Sequence, residues 1–157
     1  MAKGNSIVLG NDPRGRFVEG TLTGALKPGV MVQIDVSEGL DANGRPTFEA
    51  FTAADGVRQI VGILVPNNPG QLSTDAYATG ERCKVYFPLP GDEINVLLQD
   101  VAGTGDAHAF GEILIADSGT GEFIATTGTP EAEPFQLLET VSAPTADVLA
   151  HAIFTGY

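Results

Sequence analysis

The sequence predicts an all-β protein, a small β-barrel or β-sandwich of about ten short strands with an extended N-terminal arm. Three observations carry that expectation. Twenty glycines and ten prolines are scattered so that turn residues interrupt the chain every several positions, as short strands require. Between these breaks, apolar residues alternate with period two. A sustained helical period is missing, and the best helical window, "TADVLAHAIF" at 145–154, reads equally well as a strand.

Residues 1–16 lack periodicity and contain Gly4, Gly10, Pro13 and Gly15, so they read as an arm, with 17–157 as a single β domain. In "VMVQIDV" (30–36), Val30, Val32, Ile34 and Val36 share one face of a half-buried strand. Asn43-Gly44 predicts a type I′ hairpin turn, whose two central positions both need φ > 0, and "TFEAF" returns as the partner strand. "VRQIVGILV" (57–65) is a strand with Gly62 inside, the mark of a bulge or a close backbone approach. In "ERCKVYF" (81–87), Cys83, Val85 and Phe87 alternate with Lys84 and Tyr86. "EINVLLQDV" comes after the "PLPG" break. "FGEILIA" (110–116) and "GEFIATT" (121–127) flank a "DSGT" hairpin, and "PFQLLETVS" (134–142) with "DVLAHAIF" (147–154) closes the chain as another. A glycine leading into an apolar strand recurs at Gly29, Gly56, Gly80 and Gly111 without the fixed period of a solenoid. Val85, Phe87, Ile94, Val96 and Leu98 are the expected core around "VYFPLPGDEINVLL" (85–98).

The net charge of −12 is unevenly spread. All eight basic residues precede Val85, where they nearly balance nine acids; from Val85 onward there are eleven acids and no Lys or Arg. Phosphate backbones would be repelled by most of this surface, which argues against nucleic-acid binding. The single cysteine, Cys83, excludes an intrachain disulfide framework. The N-terminal run has no apolar core of a signal peptide, and no stretch of about 18 apolar residues spans a membrane. The expectation is a soluble body made in a cytoplasm.

Candidate chemistry is sparse. Neither His108 nor His151 has a His or Cys at metal-ligand spacing. His108 comes two residues after Asp106 in "GTGDAHAFG", but no G-x-S-x-G elbow supplies a nucleophile. Cys83 has cationic neighbours in Arg82 and Lys84, yet on a strand they point to the opposite face, leaving a buried thiol. "GTGD" and "DSGTGE" have no Lys-Ser/Thr and read as turns, not phosphate loops. Asp100, Asp106, Asp117 and Glu122 lack calcium-loop spacing. Asp92 and Glu93 look like a paired-carboxylate site, but adjacent strand residues point to opposite faces. Asp92 after Gly91 reads as a turn residue bonding its own backbone, and Glu93 as the first exposed residue of a strand. No catalytic residue, cofactor or metal is assigned, and an enzyme is not expected.

The order "KPGVMVQID…NGRPTFEAFTAADGVRQIVGILVPNN…YATGERCKVYFPLPGDEINVLL", with the tail "LIADSGTGEFIATTGTPEAEPFQLLETVSAPTADVLAHAIFTGY", resembles head decoration (capsid cement) proteins of tailed bacteriophages over most of residues 27–157. That resemblance implies a non-enzymatic virion protein, commonly trimeric, on the outer capsid surface, where it binds major capsid subunits and stabilises the shell. It brings no catalytic residues. The arm, with Arg14, Arg16 and Phe17, is then the expected contact with the capsid or a neighbouring copy. The competing reading is a carbohydrate- or receptor-binding β module, weakened by the absence of Trp and by 7% aromatic content.

Overall fold

The computed structural model describes residues 7–9, 15–52, 60–67, 75–99, 107–126, 135–142 and 146–156. Among them are ten strands and no helix: β1 (Arg16–Leu22), β2 (Met31–Ile34), β3 (Thr47–Ala50), β4 (Val61–Val65), β5 (Arg82–Phe87), β6 (Glu93–Leu98), β7 (Ile113–Ala116), β8 (Phe123–Thr126), β9 (Phe135–Leu137) and β10 (Val148–Phe154). The all-β expectation holds. Barrel or sandwich resolves to barrels, in two five-stranded sheets: β1-β3-β2-β4-β5 close one and β6-β8-β7-β9-β10 the other. Closure removes sheet edges that would otherwise template pairing with other chains.

The two barrels have one topology, built twice. In each, the first strand runs parallel to the third and antiparallel to the fifth. The second is antiparallel to the third and fourth, and the fourth to the fifth. The registers correspond residue for residue. Leu22 faces Phe48 as Leu98 faces Phe123, Val32 faces Ala50 as Leu114 faces Ala125, and Leu64 faces Val85 as Leu137 faces Ala152. After β2 and β7, the carbonyls of Asp35 and Asp117 each accept the N–H of a glycine four residues on, both at 2.9 Å. Those glycines, Gly39 (φ 70°) and Gly121 (φ 71°), hold the same left-handed conformation. The next connection differs in length: residues 40–46 separate Gly39 from β3, and Glu122 alone separates Gly121 from β8.

Core volume is distributed differently in the two. Gly20 and Gly62 of the first barrel stand where the second has Val96 and Phe135; Cys83 and Val85 stand where the second has Ala150 and Ala152. A Cβ on Gly62 would lie 2.5 Å from Val85 Cγ1, the close approach that a glycine inside this strand predicts. Across the Gly20–Cys83 pair of the first barrel and the corresponding Val96–Ala150 pair of the second, the larger side chain has changed strand.

A shared hydrophobic core joins the barrels. Met31, Ile63, Val65 and Tyr86, on the outer faces of β2, β4 and β5, are buried in one cluster with Ile94, Val96, Leu98 and Leu114 of the second barrel. Backbone bonds stitch the seam, Met31 N–H to the Gly121 carbonyl at 2.7 Å and Leu97 N–H to the Gly29 carbonyl at 2.9 Å. Lys27 spans it too, donating to Asp147 at 2.7 Å. β6 is therefore covered on both faces from Ile94 to Leu98, which is why "INVLL" reads as a nearly continuous apolar run.

Several expectations are sharpened or corrected. β1 escaped the strand reading because Gly20 interrupts its apolar alternation and Phe17 lies on its outer face. Val36 does not continue the inner face of Val30, Val32 and Ile34: the strand stops at Ile34, and Val36 is 88% exposed. Asn43-Gly44 is not the centre of a type I′ turn. Asp41 pairs with Arg45, Gly44 N–H donates to the Asp41 carbonyl, and only Gly44 needs positive φ (73°). That is a three-residue loop ending in a left-handed bulge residue. Of the arm read over 1–16, Ile7 is buried, and residues 7–9 lie along β6 through Asn95 N–H to the Ile7 carbonyl (2.7 Å) and Leu9 N–H to the Glu93 carbonyl (2.9 Å). Phe87 is half-buried against the core, and Val85, Ile94, Val96 and Leu98 are fully buried. Gly56 lies outside the described residues.

Candidate interaction surface

The acidic pair separates. Asp92 is buried, and its Oδ2 accepts from Tyr86 Oη (2.7 Å), Leu89 N–H (2.8 Å) and Gly15 N–H (3.1 Å). Gly15 N–H also reaches Tyr86 Oη at 2.8 Å. Asp92 therefore bonds the backbone of its own turn, as expected of a residue after Gly91, and also ties the start of β1 to the passage between the barrels. Glu93 points away and meets His151 Nε2 at 2.9 Å. No pocket is shared by the two carboxylates.

Asp92 and Tyr86 set the entry of β1, whose outer face is open. In register with β5, Phe17 lies beside Tyr86, Glu19 beside Lys84 and Thr21 beside Arg82, all on the outside of the first barrel. Phe17 is 44% exposed; its ring leans on Tyr86 at 4.8 Å, with Lys84 Nζ 4.5 Å above it, a cation–π contact. Arg82 donates to Glu19. Its hydrogen bond and charge hold the Glu19 carboxyl below its ordinary range, with Arg45 and Lys84 adding to the effect. Three cations thus gather around one carboxylate beside an exposed aromatic ring.

The loop after β2 extends this stripe. Thr21 Oγ1 donates to Asp41 Oδ2 (2.8 Å), and Asp41 Oδ1 accepts from Asn43 and Arg45 N–H, both at 2.8 Å. Asp35 Oδ1 accepts from Ser37 N–H (2.9 Å), Ser37 Oγ (2.6 Å) and Glu38 N–H (3.1 Å). These bonds hold the Asp35 and Asp41 carboxyls below their ordinary range, led by the Ser37 hydroxyl at Asp35 and the Arg45 N–H at Asp41. The loop is fixed by its own carboxylates, yet it presents Val36 and Leu40 to solvent. A fixed loop with exposed aliphatic side chains loses little entropy when it binds.

Of the residues singled out in the sequence, Arg14 lies outside the described residues, Arg16 opens β1 opposite Phe87, and Phe17 stands in the stripe. Arg82 and Lys84 do face away from Cys83, which is fully buried, its thiol pushed up to about 12 by burial. Sequence reasoning missed Lys84 as the cation over Phe17 and Arg82 and Arg45 as cations acting on Glu19; the period-two alternation of 81–87 was the available signal for the first two. His108 meets Glu112 at 3.1 Å, while Asp106, Asp100 and the rest of 100–106 lie outside the described residues. Asp117 accepts from Thr120, and Glu122 lies 3.8 Å from Lys27. Among the described residues no group of three or more His, Cys, Asp or Glu is placed to hold a metal ion.

The architecture defines a class: paired five-stranded barrels over a common core, a fold carried by a bacteriophage head protein. That protein is the N base of the head fiber gp8.5 in bacteriophage phi29; its crystal structure matches with a TM-score of 0.51 at 10% identity, over 90% of this chain and 94% of the other. At that identity the likeness is one of fold. No family model matches the chain, and no curated protein matches it in sequence.

Proposed function

We propose that the chain is a non-enzymatic structural protein of a phage virion. It decorates the outer surface of an icosahedral head, binds major capsid subunits and stabilises the shell, acting as a homo-oligomer, with a trimer the expected form. The observation that carries this reading is the likeness to a phage head fiber base over nearly the whole of both chains. The open stripe and fixed loop of the first barrel support it, since they offer contact surface without catalytic geometry. Stabilisation follows from mass action: a ligand that binds only the closed shell lowers its free energy relative to the opened one, and several copies per oligomer multiply weak contacts.

Co-sedimentation with expanded capsids that lack the protein tests the proposal. The protein is expected in the pellet at a fixed ratio to capsid subunits, and decorated shells are expected to resist heat longer than bare ones. A protein that stays in the supernatant, or that pellets and leaves shell stability unchanged, overturns it. A monomer that ignores capsids and melts higher with a glycan would establish the carbohydrate-binding alternative.

A further inference from the structure

The duplicated topology makes surfaces of the two barrels directly comparable, and one pair differs in charge. The β1–β5 stripe of the first barrel, with Phe17, Glu19 and Thr21 beside Tyr86, Lys84 and Arg82, corresponds by register to the β6–β10 stripe of the second, with Glu93, Asn95 and Leu97 beside Ile153, His151 and Leu149. Phe17 thus corresponds to Glu93, and Lys84 to His151. The first stripe carries Arg82 and Lys84, with Arg45 near, against Glu19. In the second, Asn95 and Leu97 are covered, which leaves its Glu93 end open. There Glu93, its side chain 48% exposed, bonds the His151 ring, and Glu139 accepts the His151 N–H at 2.6 Å. Ile153 beside them is only half-buried. No Lys or Arg occurs in the chain from Val85 onward.

We propose that these corresponding stripes are the two sides of a contact between copies of this chain. The Phe17 stripe of the first barrel docks on the Glu93 end of the second barrel of a neighbouring copy. Lys84 and Arg82 then face Glu93 and Glu139, and the Phe17 ring packs on the apolar edge at Ile153. Charge complementarity selects the occupant: the basic-aromatic stripe lies on one barrel, and the acidic stripe of matching strand geometry lies on the other. Because the two surfaces differ, the contact is heterologous. Each added copy leaves one surface of each kind open until the chain of contacts closes into a ring. The inference rests on the homo-oligomer part of the proposed function and not on capsid binding.

Light scattering on the purified protein, with no capsid present, tests it, so failure here is distinct from failure of the capsid proposal. The wild type is expected to exceed its 16.3 kDa monomer mass at low salt, and to dissociate toward monomer at 1 M salt, where the screening length is about 3 Å. Phe17→Ala and Lys84→Glu on one side, and Glu93→Lys on the other, are each expected to weaken association about tenfold or more, with the Lys84→Glu variant still unfolding in one cooperative transition. An equimolar mixture of Phe17→Ala and Glu93→Lys copies retains one intact pair of surfaces, its other pair setting Lys84 against the lysine introduced by Glu93→Lys without the ring, and is expected to form dimers that grow no further. The double variant carrying Lys84→Glu and Glu93→Lys exchanges the charges and is expected to regain larger assemblies. A wild type that stays monomeric at low salt, single variants that associate like wild type, or a mixture that remains monomeric would each overturn the proposal.

Discussion

Replacing Asp92 with Ala removes the acceptor shared by the Tyr86 hydroxyl, the Leu89 N–H and the Gly15 N–H. Hydrogen bonds to a charged group contribute about 1.5–3 kcal/mol each, and a stranded buried donor costs about 1–3 kcal/mol. Tyr86 is fully buried and cannot regain water, whereas Leu89 is 48% exposed and Gly15 only partly covered. The sum therefore falls well below three full penalties, at about 3–5 kcal/mol. At about 2–4 °C per kcal/mol for a chain of this size, the melting temperature drops by roughly 10 °C. Tyr86→Phe removes the bond to Asp92 and the Gly15 N–H contact with the hydroxyl, but Gly15 and Leu89 keep their bonds to the carboxylate, so it costs about 1–2 kcal/mol. The double variant is expected to lose less than the two single losses together, because a phenyl ring at that position leaves no hydroxyl stranded when the carboxylate is gone. Urea unfolding with constant m-values measures all three. An Asp92→Ala variant within about 1 kcal/mol of wild type would refute the view that this carboxylate ties the start of β1 to the join between the barrels.

Gly62→Ala forces a Cβ to within 2.5 Å of Val85 Cγ1 and 2.9 Å of the Tyr86 carbonyl oxygen and is expected to cost about 1–3 kcal/mol by overpacking; adding Val85→Ala should restore the side-chain part of it, and a double variant no better than the single would count against this packing account. Cys83 is expected to ignore thiol reagents in the folded protein and to react only in denaturant, because burial pushes its thiol up to about 12; rapid native labelling would contradict that. Asp35 is held below its ordinary range by the Ser37 hydroxyl and nearby N–H groups. Its contribution is present above the unfolded-state value of about 3.9 and is lost as pH falls through the lower folded value. Asp35→Asn should thus flatten the acid limb of the stability–pH curve, and an unchanged limb would show that these bonds do not distinguish the charged form.

The strands that alternate cleanly were legible in the sequence, as were the hairpins at Asp117–Gly121 and between β9 and β10. So was the fate of the acidic pair, because a carboxylate after a turn glycine bonds the local backbone whatever lies around it. The closing segment, with Ala and Leu that suit helix or strand, settles as β10 because it pairs with both β6 and β9. What stayed hidden depends on contacts distant in sequence. β1 is held by β5 and β3, far along the chain, and its own pattern is broken at Gly20. Tyr86 alternates as an outward residue, and it is outward from its barrel; the second barrel, together with the Phe17 ring, buries it. The interaction stripe was half-visible, since Arg16 and Phe17 stood out by position, whereas Lys84 comes over Phe17, and Arg82 and Arg45 come to act on Glu19, only through strand pairing and the loop that Asp41 fixes.

The duplication was invisible for a more specific reason. Self-similarity is sought in residue identities, but a barrel interior constrains summed volume and inward direction. Gly20 and Gly62 against Cys83 and Val85 fill one barrel; Val96 and Phe135 against Ala150 and Ala152 fill the other. Each position changed size, and across the Gly20–Cys83 and Val96–Ala150 pairs the larger side chain changed strand, so direction survived and identity did not. The features that persist are those set by backbone geometry. The left-handed glycines before β2 and β7 (Gly29, φ 94°; Gly111, φ 89°) persist, as do the Asp-to-Gly turns at Asp35 and Asp117. The loose recurrence of a glycine ahead of an apolar strand was the trace of that geometry. It fell short of a period because the connections differ in length: the β1–β2, β3–β4 and β4–β5 connections differ from their counterparts, and residues 40–46 lengthen the one after β2. That same insertion carries Leu40 and the Asp41 bond to Thr21, so a segment that helps conceal the repeat also distinguishes the outer stripe of the first barrel from its counterpart.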